Sequence, residues 1–258
     1  MRFGLHVRLG RPEIDDFAKR LSSEIASAGG SVVSQPGEVP DIMLAVGGDG
    51  TMLAAAKIAV DWDVPVLGFD LGTLGFLTEA DPDDLAGVVG RLIAGDYGID
   101  ERLTIAATID DTTAVGVNDV VVEKIDSTRL VHLEVVIDGV EFTTYRADGL
   151  IIATPTGSTA YSFSAGGPVV DPGVDALVLT PVAAHSLFDR PVVIPAESDI
   201  VVTVRRDRPV RVNVDKSVLG HMTDGDVVRV RRGERRARFV TFAARSFPAL
   251  VREKFGLA

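Results

Sequence analysis

Gly47-Gly48-Asp49-Gly50-Thr51 is the segment of this sequence whose residue types and spacing most directly point to chemistry. It follows a short apolar run and precedes a helical one. Glycines permit positive φ and close backbone approach, so successive N–H groups can face an oxyanion. The start of the following helix adds the positive end of its dipole. Phosphate fits such a place. A carboxylate is out of place there unless it serves the chemistry. Asp49 can take a proton from a hydroxyl or help hold a metal between phosphates. The bland alternative is a tight strand-to-helix turn in which Asp49 caps the helix. The segment is neither a Gly-x-x-x-x-Gly-Lys-Ser/Thr loop nor a Gly-x-Gly-x-x-Gly loop.

Three further segments carry polar groups in patterned surroundings. In Leu71-Gly-Thr-Leu-Gly-Phe-Leu77, two glycines again allow close backbone approach, and Phe76 can stack on a ring or plug a core. In Val117-Asn118-Asp119-Val120, the adjacent amide and carboxylate can bind a diol such as a ribose, or simply form a turn. The longest segment runs from Tyr145 through Arg146, Asp148 and the run 150–170. It is dense in small hydroxyl residues: Thr154, Thr156, Ser158, Thr159, Ser162 and Ser164. Small residues leave room for a ligand, hydroxyls give directional hydrogen bonds, and Tyr161 offers a flat face to a base. A binding loop is the preferred reading over a plain inter-strand connection. His6, His132, His185 and His221 lack close metal-ligand spacing. Six Arg between 229 and 238 surround Gly233-Glu234, which reads as a hairpin turn. A solvated hairpin or subunit contact is preferred there to a nucleic-acid patch, because no aromatic platform interleaves the charges.

These segments need elements to hold them. Phe3 to Leu9, Asp41 to Val46 and Val64 to Phe69 read as strands. Ile14, Phe17, Ala18, Leu21 and Ile25 follow helical spacing up to Gly29-Gly30; Thr51 to Val60 and Asp81 to Ala94 read as helices. Asp81 is placed to cap the last of these, with Pro82 at the first helical position. Strands alternating with helices imply an open sheet covered on its faces. From about Glu101, short β-rich runs with Gly, Asp and Pro between them imply a β-sandwich. Two of these runs are AVGVNDVVVEK and EFTTYRADGLIIATP. The segment from Ser246 returns to helical spacing. The fold expected is an α/β N-terminal domain, 1–97 plus about 240–258, with a β-sandwich-like C-terminal domain, 98–239. The C-terminal helix returns to the first domain.

The chain has 258 residues, with 26 Lys and Arg against 37 Asp and Glu, a net charge of −11. No stretch has the ~18 uncharged apolar residues of a membrane span, and the first residues lack the apolar run of a signal peptide. Without Cys there is no disulfide framework, thiolate zinc site or thiol nucleophile. A cytoplasmic protein is expected. The acidic balance argues against nucleic acid and anionic lipid as partners. With 26 Asp to 11 Glu and 21 Arg to 5 Lys, the composition fits either a salt-loving host or an Arg-rich genome.

Taken together, GGDGT, the GxLGFL loop, the Asn-acid pair and DGLIIATPTGSTAYSFSAGGP resemble the NAD kinase family, from about Asp41 to Asp215. GGDGT by itself also fits lipid and sphingoid kinases. Such an enzyme would need a basic or apolar membrane-docking face, and the −11 charge speaks against one. A non-catalytic NAD(P) sensor is the other alternative, and the intact Asp49 speaks against it. The resemblance implies phosphorylation of the 2′-hydroxyl of the adenosine ribose of NAD by ATP or polyphosphate, with Mg²⁺ or Mn²⁺. It implies that Asp49 is the catalytic carboxylate, beside Gly50 and Thr51 of the donor loop, with no residue assigned as a direct metal ligand, although Asp49 is a candidate. It further implies that Phe76 lines the adenine pocket, that Asn118 binds the ribose or diphosphate, and that Asp119 binds the ribose diol. Asp148 and Thr156 would contact the adenine edge, and Thr159, Ala160, Tyr161 and Ser164 would continue the pocket. Arg146 and Ala183 would be further substrate-binding positions. The family tends to form dimers or tetramers, so a homodimer or homotetramer is expected. Three positions depart from its pattern: Asp119 for the usual Glu, Asp70 for Asn and Thr73 for a basic residue.

Overall fold

The computed structural model describes residues 1–8, 10–33, 37–71, 76–77, 80–126, 128–206, 208–242 and 246–257. Leu9, residues 72–75 of the GxLGFL loop with Thr73 among them, and residues 243–245 lie outside this set. The chain divides into two compact units, 1–101 with 237–258, and 102–236.

The first unit is an α/β layer. Strands β1 (Arg2–Val7), β2 (Ser31–Val32), β3 (Ile42–Val46), β4 (Val66–Phe69), β5 (Gly98–Arg102) and β18 (Ala237–Thr241) form one sheet in the order β2-β1-β3-β4-β18-β5. The β1–β2, β1–β3, β3–β4 and β4–β18 pairs are parallel. All five residues of β3 are buried, as a strand covered on both faces requires. Helices α1 (Pro12–Ser27) and α3 (Leu85–Ala94) share one apolar cluster with Phe3, Ile42, Leu44, Val46 and Leu67. Ile14, Phe17, Leu21 and Ile25 are the buried stripe of α1, each worth ~1.5–3 kcal/mol of apolar burial. Helix α2 (Asp49–Trp62) packs against β3, β4 and β18 through Met52, Leu53, Ala55, Ala56, Ala59 and Val60. The segment predicted as one helix from Asp81 begins instead as a 3₁₀ turn, Pro82–Asp84, and becomes α-helical at Leu85. The Asp81 carboxylate accepts the Asp83 N–H at 2.9 Å, so it caps the 3₁₀ turn. A single helical turn, α4 (Tyr161–Ser164), lies in the second unit, and helix α5 (Phe247–Phe255) belongs to the first.

The boundary differs slightly from the change in sequence texture. Both β5 and β18 join the first sheet, which moves residues 98–101 and 237–239 into the first unit. The hairpin predicted at Gly233-Glu234 is therefore absent: β17 (Val227–Arg232) and β18 lie in different sheets.

The second unit is a β-sandwich. Its first sheet contains β6 (Ile105–Ile109), β7 (Thr112–Gly116), β9 (Val131–Ile137), β10 (Val140–Ala147), β14 (Ile200–Arg205) and β17, in the order β10-β9-β14-β17-β6-β7. Its second contains β8 (Asp119–Lys124), β11 (Gly149–Ala153), β12 (Ala176–Val182), β13 (Val192–Pro195), β15 (Val210–Val214) and β16 (Ser217–Met222), in the order β13-β12-β11-β8-β15-β16. The pairs are antiparallel, and one apolar core draws Leu133, Val202 and Val230 from the first sheet and Val122, Ile152 and Leu179 from the second. Two runs that read as continuous in sequence switch sheets: 112–124 crosses at Val117-Asn118, and 140–153 crosses at Asp148. The outer face of the second sheet carries a smaller cluster, Val121, Ile151, Ala153 and Val178, with Ala165 and Val170 packed on it. Among the described residues, no helix is long and apolar enough to cross a membrane.

Candidate functional site

In the first unit, β3 ends at Val46, Gly47 follows it, and α2 begins at Asp49. Gly47 has φ +147°, and a Cβ there would lie 2.5 Å from Thr51 Oγ1, so both backbone and space demand glycine. Its N–H donates to the Phe69 carbonyl at 3.0 Å, tying the loop to β4. Gly48, not Asp49, occupies the N-cap position, and its carbonyl accepts from Thr51 N–H at 2.8 Å and Met52 N–H at 3.1 Å. The first N–H groups of α2 have no intrahelical partner by geometry, so Asp49 and Gly50 present donors at the positive helix end. Asp49 Oδ1 is buried and has no hydrogen-bond partner among the described residues. A capping role would have given that oxygen a backbone donor, so the bland reading of this turn fails. Thr51 is nearly buried and packs beside Gly47. Phe76, half-buried, stands with its ring centroid 6.0 Å from that of Phe255 in α5, with Lys254 Nζ 5.9 Å from the ring.

In the second unit, the crossing segment 117–119 is clamped on both sides. The Asp215 carboxylate accepts the N–H groups of Val117 (3.0 Å), Asn118 (2.8 Å) and Asp119 (3.3 Å), and Asp215 N–H donates to the Asp119 carbonyl at 2.8 Å. From the opposite side, Thr154 Oγ1 donates to the Val117 carbonyl at 2.6 Å and Thr154 N–H to the Asn118 carbonyl at 2.8 Å. A Cβ on Gly157 would collide with the Asn118 carbonyl oxygen, so glycine alone allows the 154–159 turn to seat there. Asn118 Oδ1 is buried and without a partner among the described residues. Asp119 is 5% exposed, and burial, reinforced by the nearby Asp215 charge, pushes its carboxyl up to about 7.

Asp148 sits where the chain crosses between sheets, its N–H donating to the Val182 carbonyl and its carboxylate held by Lys124 Nζ at 2.5 Å. Gly149 follows because a Cβ there would meet the Val122 carbonyl at 2.5 Å. Ala183, with φ +46°, comes directly after Val182. Tyr161 is exposed; partial burial raises its hydroxyl, and the Glu123, Asp148 and Asp119 charges add to that rise. Glu123 accepts from Arg211 and Asn213, each at 2.7 Å. The structure thus brings Asn118, Asp119 and the turn carrying Thr156 together at the start of β8 and places Asp148 at its other end beside Lys124, with the Tyr161 hydroxyl within reach of the charges of both Asp119 and Asp148. The carboxylates here are suited to hydroxyl and amino donors, while phosphates suit the N–H groups of the first unit.

Most hydroxyls of the long loop are structural. Ser158 Oγ donates to the Pro155 carbonyl at 2.6 Å and accepts Val170 N–H at 2.9 Å; Ser162 and Thr180 hydroxyls are 2.9 Å apart; Thr159 Oγ1 donates to the Thr156 carbonyl at 3.3 Å. Thr156 is buried, Ala160 partly so, and Ser164 exposed. Arg146 lies on β10, in the other sheet from β8 and β11. Its N–H donates to Ser186 Oγ and its carbonyl accepts His185 N–H, so its described bonds run to the 185–186 loop and not to the Asn118 cluster. The Arg-rich run is taken up by ion pairs: Arg229 and Arg231 with Asp199, Arg232 with Glu197, and Arg236 with Asp175. Sequence reasoning missed Asp215, Lys124 and Glu123, whose partners lie far along the chain or across a strand pair. Among the described residues, no three His, Asp or Glu side chains converge as a metal cage.

Two family matches cover most of the chain: the ATP-NAD kinase N-terminal domain at residues 16–97 and the ATP-NAD kinase C-terminal domain at residues 117–242. The NAD kinase of Moorella thermoacetica is 44% identical over 217 residues, 82% of this chain and 70% of that protein. That of Geobacter metallireducens is 38% identical over 226 residues, 84% and 80% of the two chains. Two solved structures share the fold at 24% identity. Yeast NADH kinase complexed with NADH has a TM-score of 0.89, covering 100% of this chain and 88% of its own. An NAD kinase from Archaeoglobus fulgidus in complex with ATP has a TM-score of 0.76, covering 93% of each chain.

Proposed function

The chain belongs to the NAD kinase family, converting NAD to NADP, and from that premise we propose which residues do the work and with what donor. The donor is ATP or polyphosphate. Asp49 accepts the proton of the adenosine-ribose 2′-hydroxyl, the freed oxygen bonds to the terminal phosphorus, and the bond from that phosphorus to its bridging oxygen breaks. ADP, or a polyphosphate shorter by one unit, leaves. The observation that carries this reading is the buried, unpartnered Oδ1 of Asp49 between glycines at the first residue of α2. A carboxylate oxygen with no internal partner is unfavourable unless an incoming hydroxyl or cation engages it.

Phosphoryl transfer depends mainly on positioning and charge stabilisation. The N–H groups of Asp49 and Gly50 receive donor phosphate oxygens, with Thr51 beside them. Asn118 and Asp119 receive the ribose, the Asp119 carboxylate accepting from the diol. Asp148 and Thr156 meet the adenine edge; Thr159, Ala160, Tyr161 and Ser164 extend the pocket, with Tyr161 as its packing surface. A Mg²⁺ or Mn²⁺ ion bound with the donor would neutralise phosphate charge, and Asp49 is the side chain that would hold it to the protein. Phe76 is proposed to line the adenine pocket and Arg146 to contact the dinucleotide; the described contacts of Phe76 are with α5 and those of Arg146 with the 185–186 loop. Ala183 stays beside Asp148 as a backbone contact.

The protein is proposed to be cytoplasmic, to bind neither nucleic acid nor membrane, and to form a homodimer or homotetramer. Phe142, Leu187 and Phe188 are exposed apolar side chains on the sandwich, the two rings 5.8 Å apart, and are the surface such an assembly would cover. Incubating purified protein with NAD, ATP or polyphosphate, and Mg²⁺ or Mn²⁺ tests the reading. NADP should appear with at least one donor. Tight NAD binding with no NADP from any donor would point to a sensor instead.

A further inference from the structure

The Asp215 carboxylate is placed unlike any other acid described in the chain. It collects three consecutive backbone N–H groups from a segment about a hundred positions earlier, at the point where that segment leaves one sheet for the other. Its own backbone returns a bond to the Asp119 carbonyl. Asp215 reaches this arrangement with φ +52°, a left-handed conformation that Asp tolerates better than most residues. Charge-assisted bonds of this kind are stronger than neutral ones and fix direction as well as distance. Thr154 holds the carbonyl side of the same segment.

The clamp has a consequence for recognition. It fixes the backbone of Asn118 and Asp119 while their side chains gain nothing comparable: Asn118 Oδ1 is buried and unpartnered among the described residues, and Asp119 is buried beside a second carboxylate. A flexible segment would rotate to relieve both. We infer that Asp215 is a positioning residue for dinucleotide recognition, holding Asn118 and Asp119 in the strained orientation in which the ribose hydroxyls satisfy them. The inference rests on the assignment of that pair to the ribose. It gives Asp215 no contact with substrate and no part in phosphoryl transfer.

The test uses the full chain carrying Asp215→Asn or Asp215→Gly. Asn keeps one acceptor oxygen and the left-handed conformation while removing the charge; Gly keeps the conformation and removes every acceptor. NAD Kd is measured by titration without donor, and kcat, KM for NAD and KM for ATP by NADP formation. The expected result is a rise in NAD Kd and KM of about 10-fold for Asn and about 100-fold for Gly, the scale of losing one or more hydrogen bonds to a charged group. KM for ATP and kcat should stay within about threefold. A fall in melting temperature with unchanged NAD Kd, or equal changes in both KM values, would make Asp215 structural and overturn the inference. Absence of turnover in the unmodified protein would count against the kinase reading alone, since the titration still reads Asp215. If Asn118→Ala and Asp119→Ala leave the NAD Kd unchanged, the ribose pair falls and the inference with it.

Discussion

Asp119→Asn should alter the pH dependence of stability in a direction fixed by burial. Asp119 is 5% exposed, and its carboxyl is pushed up to about 7 from an ordinary value of 3.8. The unfolded chain loses this proton near pH 4, while the folded chain keeps it to about pH 7. The folded state therefore binds more protons between those values, and stability falls as pH rises across them. The preference for the neutral form amounts to about 4 kcal/mol, of which about 3 kcal/mol is lost between pH 5 and pH 8. Asn cannot ionise, so the variant escapes that loss. In urea unfolding, the free-energy difference between variant and unmodified protein should shift by about 3 kcal/mol in favour of the variant from pH 5 to pH 8. If Asp119 receives the ribose as proposed, its neutral form accepts poorly from both hydroxyls, so KM for NAD should fall as pH rises toward about 7, and this fall should vanish in Asp119→Asn. A stability difference independent of pH would show that Asp119 titrates as an ordinary carboxyl and would refute the reasoning.

Gly157→Ala drives a methyl into the Asn118 carbonyl oxygen, a backbone atom that cannot swing aside. It should destabilise the sandwich by at least the ~1–3 kcal/mol of an overpacked site and raise KM for NAD, both read by thermal unfolding and initial rates. Unchanged stability and KM would show that the turn shifts freely. If the −11 charge hinders approach of two polyanions, kcat/KM for ATP at fixed Mg²⁺ should rise between about 0.05 and about 0.5 M KCl, where the Debye length shrinks from about 14 to about 4 Å. A threefold fall over that range would contradict this.

The α/β unit was legible because its signals are local. The run 42–46 is apolar throughout and stops at glycines, and Ile14, Phe17, Leu21 and Ile25 keep helical spacing. Strand β2 escaped notice because two residues show no periodicity. The sandwich was legible as a class but not in its topology: a run such as AVGVNDVVVEK has continuous β texture, yet its halves belong to different sheets. The same cause hid the clamp on Asn118 and Asp119, because Asp215 reads as the end of a strand and nothing local ties it to residue 118. The hydroxyl-rich loop misled in part. Ser158 and Ser162 resemble ligand contacts in sequence, but the structure uses them to hold the loop's shape. Asp49 stands out in the sequence because a carboxylate amid phosphate-suited glycines is otherwise unfavourable, and its Oδ1 is buried without a partner among the described residues.

The most direct measurement is the turnover of Asp49→Asn, with NADP formation and NAD Kd determined on the same preparation. With Asp49 as the group that accepts the 2′-hydroxyl proton, kcat should fall by ~10²–10⁴ while the NAD Kd stays within about threefold. Turnover close to that of the unmodified protein would remove Asp49 from the reaction and contradict the mechanism.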